Sequence, residues 1–431
     1  MSQNKNIIVL KFGGTSQLKS TYDLIINKIK SNNKNKYIII MSAISGITTL
    51  LLSYSKNKNI TDLNRIIELN NGLADNCNVD INDIIDNLKL ISQQLNSTDE
   101  IVSFVAQGEF FTCNILNRYL NNNEIKSEFI SSLDIIDSNQ ENEFIFNKGE
   151  FSVNNCKIFD KLINNDIIVI PGFSGKTPSN KYCLLGRGGS DTSGSIIAAS
   201  VNAKRYEIWT DVNGIYSSDP RVISNTIINK IISYEAAQEL AAMGAKVIHP
   251  YCILPCALKN IPIVIKNTFN PKNNSTIIFG NQTNMVYGIT IQNNVKVFKI
   301  TSLNMWNNYG FVYDIFSIFK KNNVDINIIN TSQFNITTTT DEINENKLWD
   351  IKNKLQNTFN VELSIENSIV SVVGDNIRMC ENIGDIFKLT RNFDIITTSY
   401  SSNDMTLSFV INTKYAINLA QQLHNIIFIS L

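Results

Sequence analysis

VLKFGGTS (9–16) carries an apolar strand straight into a Gly-Gly turn and then two hydroxyl residues. Nothing in Ile7–Phe12 shows the apolar–polar alternation of a half-exposed strand. A near-continuous apolar run reads as a strand buried on both faces, the habit of parallel sheets covered by helices. Four further runs share that character: Tyr37–Met41, Ile167–Ile170, Tyr206–Trp209 and Ile261–Val264. Helical stretches such as Ile101–Leu120 and Glu235–Val247 lie between them. Strands alternating with helices over residues 1–288 predict an α/β domain, its mainly parallel sheet sandwiched by helices.

Beyond residue 288 the pattern changes. One block reads VFKITSLN, GFVYDIFSIFKKNN, VDINIINTSQFNITTTT; a second reads SIVSVVGDN, NIGDIFKLTRNF, DIITTSYSSNDMTLSFVI. Each runs strand, loop, helix, strand, strand, and INTSQFN is echoed in ITTSYSS. The duplication predicts two ferredoxin-like α+β modules, 289–366 and 367–431. The segment 425–431 is a candidate strand to complete the first of them. NTFNPKNNSTIIFGNQT (267–283), rich in Asn, Thr, Pro and Gly, is the expected linker between the halves.

With 431 residues the chain exceeds one ordinary core. Lys plus Arg is 38 and Asp plus Glu is 38. That balance gives no electrostatic reason to expect a nucleic acid or an anionic membrane as partner. The seven cysteines form no CxxC pair, so reduced thiols and a cytoplasmic setting are expected. The N-terminus MSQNKNIIVLKFGG has no long apolar region of a signal peptide. Tyr37–Ser55 carries no charge, but Ser42, Ser45, Gly46, Thr48 and Thr49 break it into strand, turn and helix start.

Four segments are candidates for chemistry. In LLGRGGSDTSGS (184–195), adjacent glycines admit close approach of a ligand and Arg187 can grip a carboxylate in fork geometry. Ser190 and Asp191 stand at an expected helix start, where N–H groups favour anions; a simple capped turn explains the same residues. In VLKFGGTS the glycine turn can present N–H groups to phosphates beside Lys11. IWTDVNGIYSSDPRV (208–222) ends a strand at Thr210-Asp211 and adds Tyr216, Asp219 and Arg221, a set for a nucleotide or a plain hairpin. MGAKVIHP (243–250) offers Lys246. SGKT (174–177) is a false P-loop, because the required glycine five residues before Gly175 is Ile170.

Read together, KFGGTS, SAISGIT (42–48), QGEFFT (107–112), GRGGSD (186–191), WTDVNGIYSSDPR (209–221), GAKVIHP, NTFNP and SLNMWNNYGF (302–311) resemble the aspartate kinase family, in order and over nearly the whole chain. The resemblance implies the amino-acid-kinase fold followed by two ACT modules. It also implies transfer of the ATP γ-phosphate to the β-carboxylate of L-aspartate, the first step of lysine, threonine and methionine biosynthesis. Lys11 would be the catalytic lysine and Asp191 its anchor. Aspartate would meet Ser42, Thr48, Glu109, Phe173, Arg187 and Ser190, with Arg187 on the α-carboxylate and Glu109 on the α-ammonium. ATP, with Mg²⁺ on its phosphates, would meet Lys11, Gly13, Gly14, Ser16, Thr210, Asp211, Tyr216, Arg221 and Lys246, with no metal held by protein ligands alone. His249 and His424 would be structural.

The resemblance further implies a homodimer through the ACT modules and an amino-acid effector near Asn308, Gly310, Phe311, Asp325 and Asn327. Lysine-sensitive members tend to carry Asp where Asn327 aligns, which implies weakened lysine inhibition. Thr112 replaces a frequent Ser and keeps the hydroxyl. A fused homoserine dehydrogenase is not expected. Glutamate or acetylglutamate kinases share the fold but not the paired modules with the GRGGSD context. A catalytically inactive amino-acid sensor is the reading from another class, and it would have no need of Lys11, Arg187 and Asp191.

Overall fold

Burial explains the unbroken apolar runs. In β1 (Ile7–Phe12) every residue from Ile8 to Phe12 is buried. In β2 (Lys36–Met41) the same holds from Tyr37 onward. The computed structural model describes residues 7–32, 34–245, 247–280, 286–302 and 309–429. They fall into two compact units, the first made of those within 1–215, 228–238 and 246–281, the second of those within 216–227, 239–245 and 282–431.

After β1 and β2 with the intervening α1 (Lys19–Ser31), the first unit runs through a helical region. It holds α2 (Ile47–Asn57), α3 (Ile60–Asn76), α4 (Asn82–Ser92), α5 (Thr98–Val105) and α6 (Gln107–Asn122). The helix expected over Ile101–Leu120 is thus two, divided at Ala106. Then come β3 (Ser127–Phe129), β4 (Ile136–Ser138), β5 (Phe151–Val153), α7 (Asn155–Asn164), β6 (Ile167–Pro171), β7 (Ser174–Lys176), β8 (Tyr182–Leu184), α8 (Gly189–Ser200) and β9 (Arg205–Thr210). β10 (Ile231–Ile232), α9 (Tyr234–Ala242), α10 (Leu254–Ala257), β11 (Ile263–Asn267) and β12 (Thr276–Ile278) follow.

The main sheet has the order β10-β12-β11-β9-β1-β2-β6-β3. All its pairings are parallel except β11 with β12. The two faces are told apart by alternation along each strand. Ile8, Leu10 and Phe12 of β1 share one core with Tyr22 and Ile25 of α1 and Phe111 and Ile115 of α6. Val9 and Lys11 point the other way, to the face where α8 packs on β1 and β9. A four-stranded sheet, β5-β4-β7-β8, stands apart. The expected linker is shorter than its composition suggests. Its β-branched stretch Thr276–Ile278 joins the main sheet as β12, and residues 281–283 lie outside the described residues.

The second unit adds β13 (Val286–Thr301), α11 (Phe311–Lys321), β14 (Ile329–Thr331), β15 (Asn335–Thr340) and α12 (Glu345–Gln356). β16 (Asn360–Gly374), α13 (Ile383–Thr390), β17 (Ile395–Tyr400), β18 (Thr406–Asn412) and α14 (Thr413–His424) complete it. They form one six-stranded sheet, β14-β15-β13-β16-β18-β17. Two long strands serve both modules. Phe298, Ile300 and Val361 pack with α11 and α12, whereas Ile289, Val370 and Val372 pack with α14. The register of β13 against β16 shifts between Gln292 and Val297, where one module gives way to the other.

This corrects the expected completion of the modules. The second module, not the first, borrows a strand from outside its own block, and that strand is the start of β13 at Val286–Gln292. The segment expected as a strand at 425–431 is a π-helical turn over Asn425–Ile429, with 430–431 outside the described residues. It continues α14 directly, with Ile427 buried in the core of the second module.

Candidate active site

Parallel pairing gathers the carboxyl ends of strands on one edge of a sheet, where open α/β sheets take their ligands. Phe12 stands level with Met41 and Trp209, and Met41 with Pro171. The segments leaving β1, β2 and β6, together with α6 and the turn before α8, line a cavity of about 490 Å³. Nine of the residues read from the sequence meet there: Lys11, Gly14, Ser42, Thr48, Glu109, Phe173, Arg187, Ser190 and Asp191.

Lys11 reaches across the α8 face of the sheet. Its Nζ lies 2.6 Å from Asp191 Oδ1, in the first turn of α8, with the side chains only 11% and 15% exposed. The start of α8 is built for close approach. Gly188 has φ 70°, and a Cβ there would come within 2.4 Å of His249 Cβ. The helix N-terminus carries no side-chain cap, so first-turn N–H groups remain for an anion at the positive end of the helix.

Gly14 brings two loops together. A Cβ on it would stand 2.8 Å from the Ala43 carbonyl oxygen, and the Ser45 N–H donates to the Gly14 carbonyl at 3.2 Å. The rest of the expected phosphate cradle is disposed differently. The Gly13 N–H donates to the Trp209 carbonyl at 3.1 Å, which ties the turn to β9. Ser16 is fully buried, its hydroxyl 2.7 Å from that of Thr268. Neither residue lines the cavity, because the tight turn Gly14–Ser16 rotates the serine inward.

Glu109 sits in the first turn of α6 and is 4% exposed. Burial pushes its carboxyl up to about 8, although backbone N–H groups at Ala43 and Glu109 and the charge of Lys11 pull the other way. Its Oε2 is buried and has no partner among the described residues. Arg187 is exposed on the cavity rim and has no ion pair among the described residues. Phe173 holds φ 66°, a costly backbone for a bulky residue. Its N–H donates to Ser193 Oγ at 3.0 Å and its carbonyl accepts from Leu185 at 2.8 Å. Ser42 is fixed through its carbonyl, which accepts from Thr112 Oγ1 at 3.0 Å. Thr48 is the second residue of α2.

The remaining described candidates are not among the lining residues of this cavity. Thr210 ends β9 and donates to Asp211 Oδ1 at 3.2 Å. Tyr216 and Arg221 belong to the second unit, Arg221 paired with Asp219 at 2.8 Å. Lys246 and Asn308 lie outside the described residues. Gly310, φ 89°, precedes α11, which begins at Phe311. Asp325 and Asn327 are both exposed between buried Val324 and Ile328. SGKT falls on β7 and its surroundings, with Lys176 paired to Asp137 at 3.2 Å. The His249 ring packs on Gly188, and burial lowers its pKa. His424 Nε2 lies 2.8 Å from Ser217 Oγ in the second unit. Phe146, which no motif pointed to, also lines the cavity.

Among solved structures the chain is similar to Clostridium acetobutylicum aspartate kinase, at 27% identity and TM-score 0.81, covering 97% of this chain and 100% of that one. Its fold also matches that of Escherichia coli aspartokinase III in complex with aspartate and ADP, at 23% identity and TM-score 0.83, covering 98% and 100%. An aspartokinase of Rickettsia felis is 28% identical over 98% of this chain and 100% of its own length. The model of the amino acid kinase family matches residues 6–267. That match takes in every strand of the main sheet but β12 and every lining residue of the cavity at its carboxyl edge, and by it the chain belongs to the amino acid kinase family.

Proposed function

We propose that the chain is an aspartate kinase, transferring the γ-phosphoryl group of ATP to the β-carboxylate of L-aspartate. The observation that carries this reading is the pairing of opposite recognition groups in one cavity. Arg187 offers a fork for a carboxylate, and Glu109 offers a buried carboxylate oxygen without a partner among the described residues. An α-amino acid presents the complementary carboxylate and ammonium. Lys11, held by Asp191, and the open N-terminus of α8 supply positive potential for the phosphoryl group between them.

The chemistry asks little of the protein in proton transfer. A side-chain carboxylate is ionised at neutral pH and attacks phosphorus without a general base. The barrier is the approach of two anions. Lys11 and the first-turn N–H groups of α8 lower it by spreading charge from the transferred group, with Mg·ATP as donor. Asp191 fixes the ammonium of Lys11 so that no reorganisation is needed as charge develops. Ser42, Thr48 and Ser190 add hydroxyl groups around the acceptor. Thr210 and Asp211, at the carboxyl end of β9, are assigned to the nucleotide.

The test is ATP consumption by the purified chain across a panel of amino acids, with the acyl phosphate trapped as its hydroxamate. Turnover of L-aspartate well above that of L-glutamate is expected; equal turnover of the two would defeat the assignment.

The second unit is assigned to assembly and regulation. Strand edges invite pairing between copies, so the chain should be at least a dimer through its ACT modules; a single monomeric mass by light scattering at micromolar concentration would argue against it. For an effector at the start of α11, Asn327 offers an amide where a carboxylate would grip an ammonium. A neutral bond in place of a charge-assisted one weakens binding by roughly tenfold. Lysine should therefore inhibit wild type poorly and Asn327→Asp better. Wild-type inhibition at sub-millimolar lysine contradicts this.

A further inference from the structure

Phe146 belongs to the loop of residues 139–150 between β4 and β5. That loop has no regular structure of its own, yet it is pinned on both sides of the ring. Asn147 is 7% exposed; its N–H donates to the Leu184 carbonyl at 2.8 Å. Its side-chain Oδ1 accepts from Ser138 Oγ at 3.0 Å and from the Gly149 N–H at 2.8 Å, and its Nδ2 donates to the Gln140 carbonyl at 3.1 Å. On the other side Asn142 donates to the Tyr182 carbonyl at 2.6 Å and to Asp99 at 3.0 Å. A segment held by this many bonds presents its side chains in fixed directions.

The three apolar residues of the loop go to three places. Ile145 packs against the main core. Phe144 stays 60% exposed with the Lys148 ammonium 5.5 Å above its ring. Phe146 faces the cavity, 41% exposed, its ring 6.2 Å from that of Phe173 at 60°. It also leans on the turn that carries Arg187, since a Cβ on Gly186 would lie 3.9 Å from Phe146 Cβ. The ring thus closes the side of the cavity next to the carboxylate fork, and it is not spent on the core.

We propose that Phe146 is a specificity-determining residue: with Phe173 it forms the apolar wall that limits the length of the amino acid accepted beside Arg187. This rests on the reading of the cavity as the acceptor site of an aspartate kinase. A ring left half-exposed on a rigid loop gains by being covered when a ligand enters. A wall of this kind separates acids differing by one methylene by about one to two orders of magnitude.

The experiment compares wild type, Phe146→Ala and Phe146→Leu with L-aspartate and L-glutamate at saturating Mg·ATP. Thermal melting checks the fold, and Phe146→Leu carries the test if the alanine variant does not fold. Phe146→Ala should raise KM for aspartate roughly tenfold, leave kcat within about threefold, and lower the aspartate-to-glutamate ratio of kcat/KM about tenfold. Phe146→Leu should fall between it and wild type. An active wild type with both variants unchanged in KM and in discrimination overturns this inference alone. A wild type that turns over no aspartate overturns the kinase reading and this inference with it.

Discussion

Lys11→Ala should lower kcat by on the order of 10³-fold or more while the chain still folds. Among the described residues, Lys11 is the one ammonium lining the cavity, and it is nearly buried. A donor aimed at developing charge in a site of restricted water access acts almost wholly in the transition state. The loss should therefore appear in kcat far more than in KM for aspartate. Near-normal turnover by the variant would remove Lys11 from the chemistry.

The same substitution strands Asp191, whose carboxylate would be left in the cavity without its 2.6 Å partner. Breaking a buried pair from one side is costly, about 3–5 kcal/mol, because the remaining charge is uncompensated. Part of any loss in the single variant could then reflect structure. The double variant Lys11→Ala/Asp191→Asn separates the two effects. It should melt closer to wild type than Lys11→Ala does, and remain as inactive. Recovery of activity with recovered stability would show that Lys11 serves the fold and not the reaction.

Which parts of this site could be read from the chain follows from physical reach. The strands at Ile7–Phe12, Tyr37–Met41, Ile167–Ile170 and Tyr206–Trp209 were legible because burial on both faces leaves unbroken apolar runs. β11 was displaced to Ile263–Asn267 because its last residues, Lys266 and Asn267, end the strand at the polar edge of the sheet. β12 is three residues set among Asn and Thr, too short for any periodicity to mark it. The duplication was legible, but not which strand completes which module. That depends on β13 pairing with β16 some seventy residues away. Ser16 illustrates the same limit: a hydroxyl after Gly-Gly reads as a phosphate contact, while its actual partner Thr268 lies 252 positions along the chain. Phe146 sits in ENEFIFNKGE, where nothing local tells one aromatic ring from the other. Only the bonds around Asn147 decide which of them faces the cavity.

Glu109 should make aspartate binding depend on pH across the neutral range, where an ordinary carboxylate site, already ionised, would show no dependence. Its carboxyl is pushed up to about 8 by burial. At pH 7 the free enzyme therefore holds Glu109 mostly protonated, and a neutral carboxyl cannot grip an ammonium as a carboxylate does. Binding aspartate must take that proton away. KM for aspartate should fall about tenfold for each pH unit from 6 toward 8 and then level off. The substrate's own charges do not change over this range. Glu109→Gln should raise KM by about 10²-fold at pH 8 and erase the slope, leaving kcat less affected. Stability should carry the mirror image. A folded-state pKa above the unfolded one means that the native chain keeps a proton the unfolded chain has released. The stabilising contribution is full below the ordinary carboxylate range and is lost as pH rises through about 8. Glu109→Gln, neutral throughout, should therefore lose less melting temperature than wild type between pH 6 and pH 9. A wild-type KM that is flat from pH 6 to 8, or a slope that survives in Glu109→Gln, would show that another group receives the ammonium.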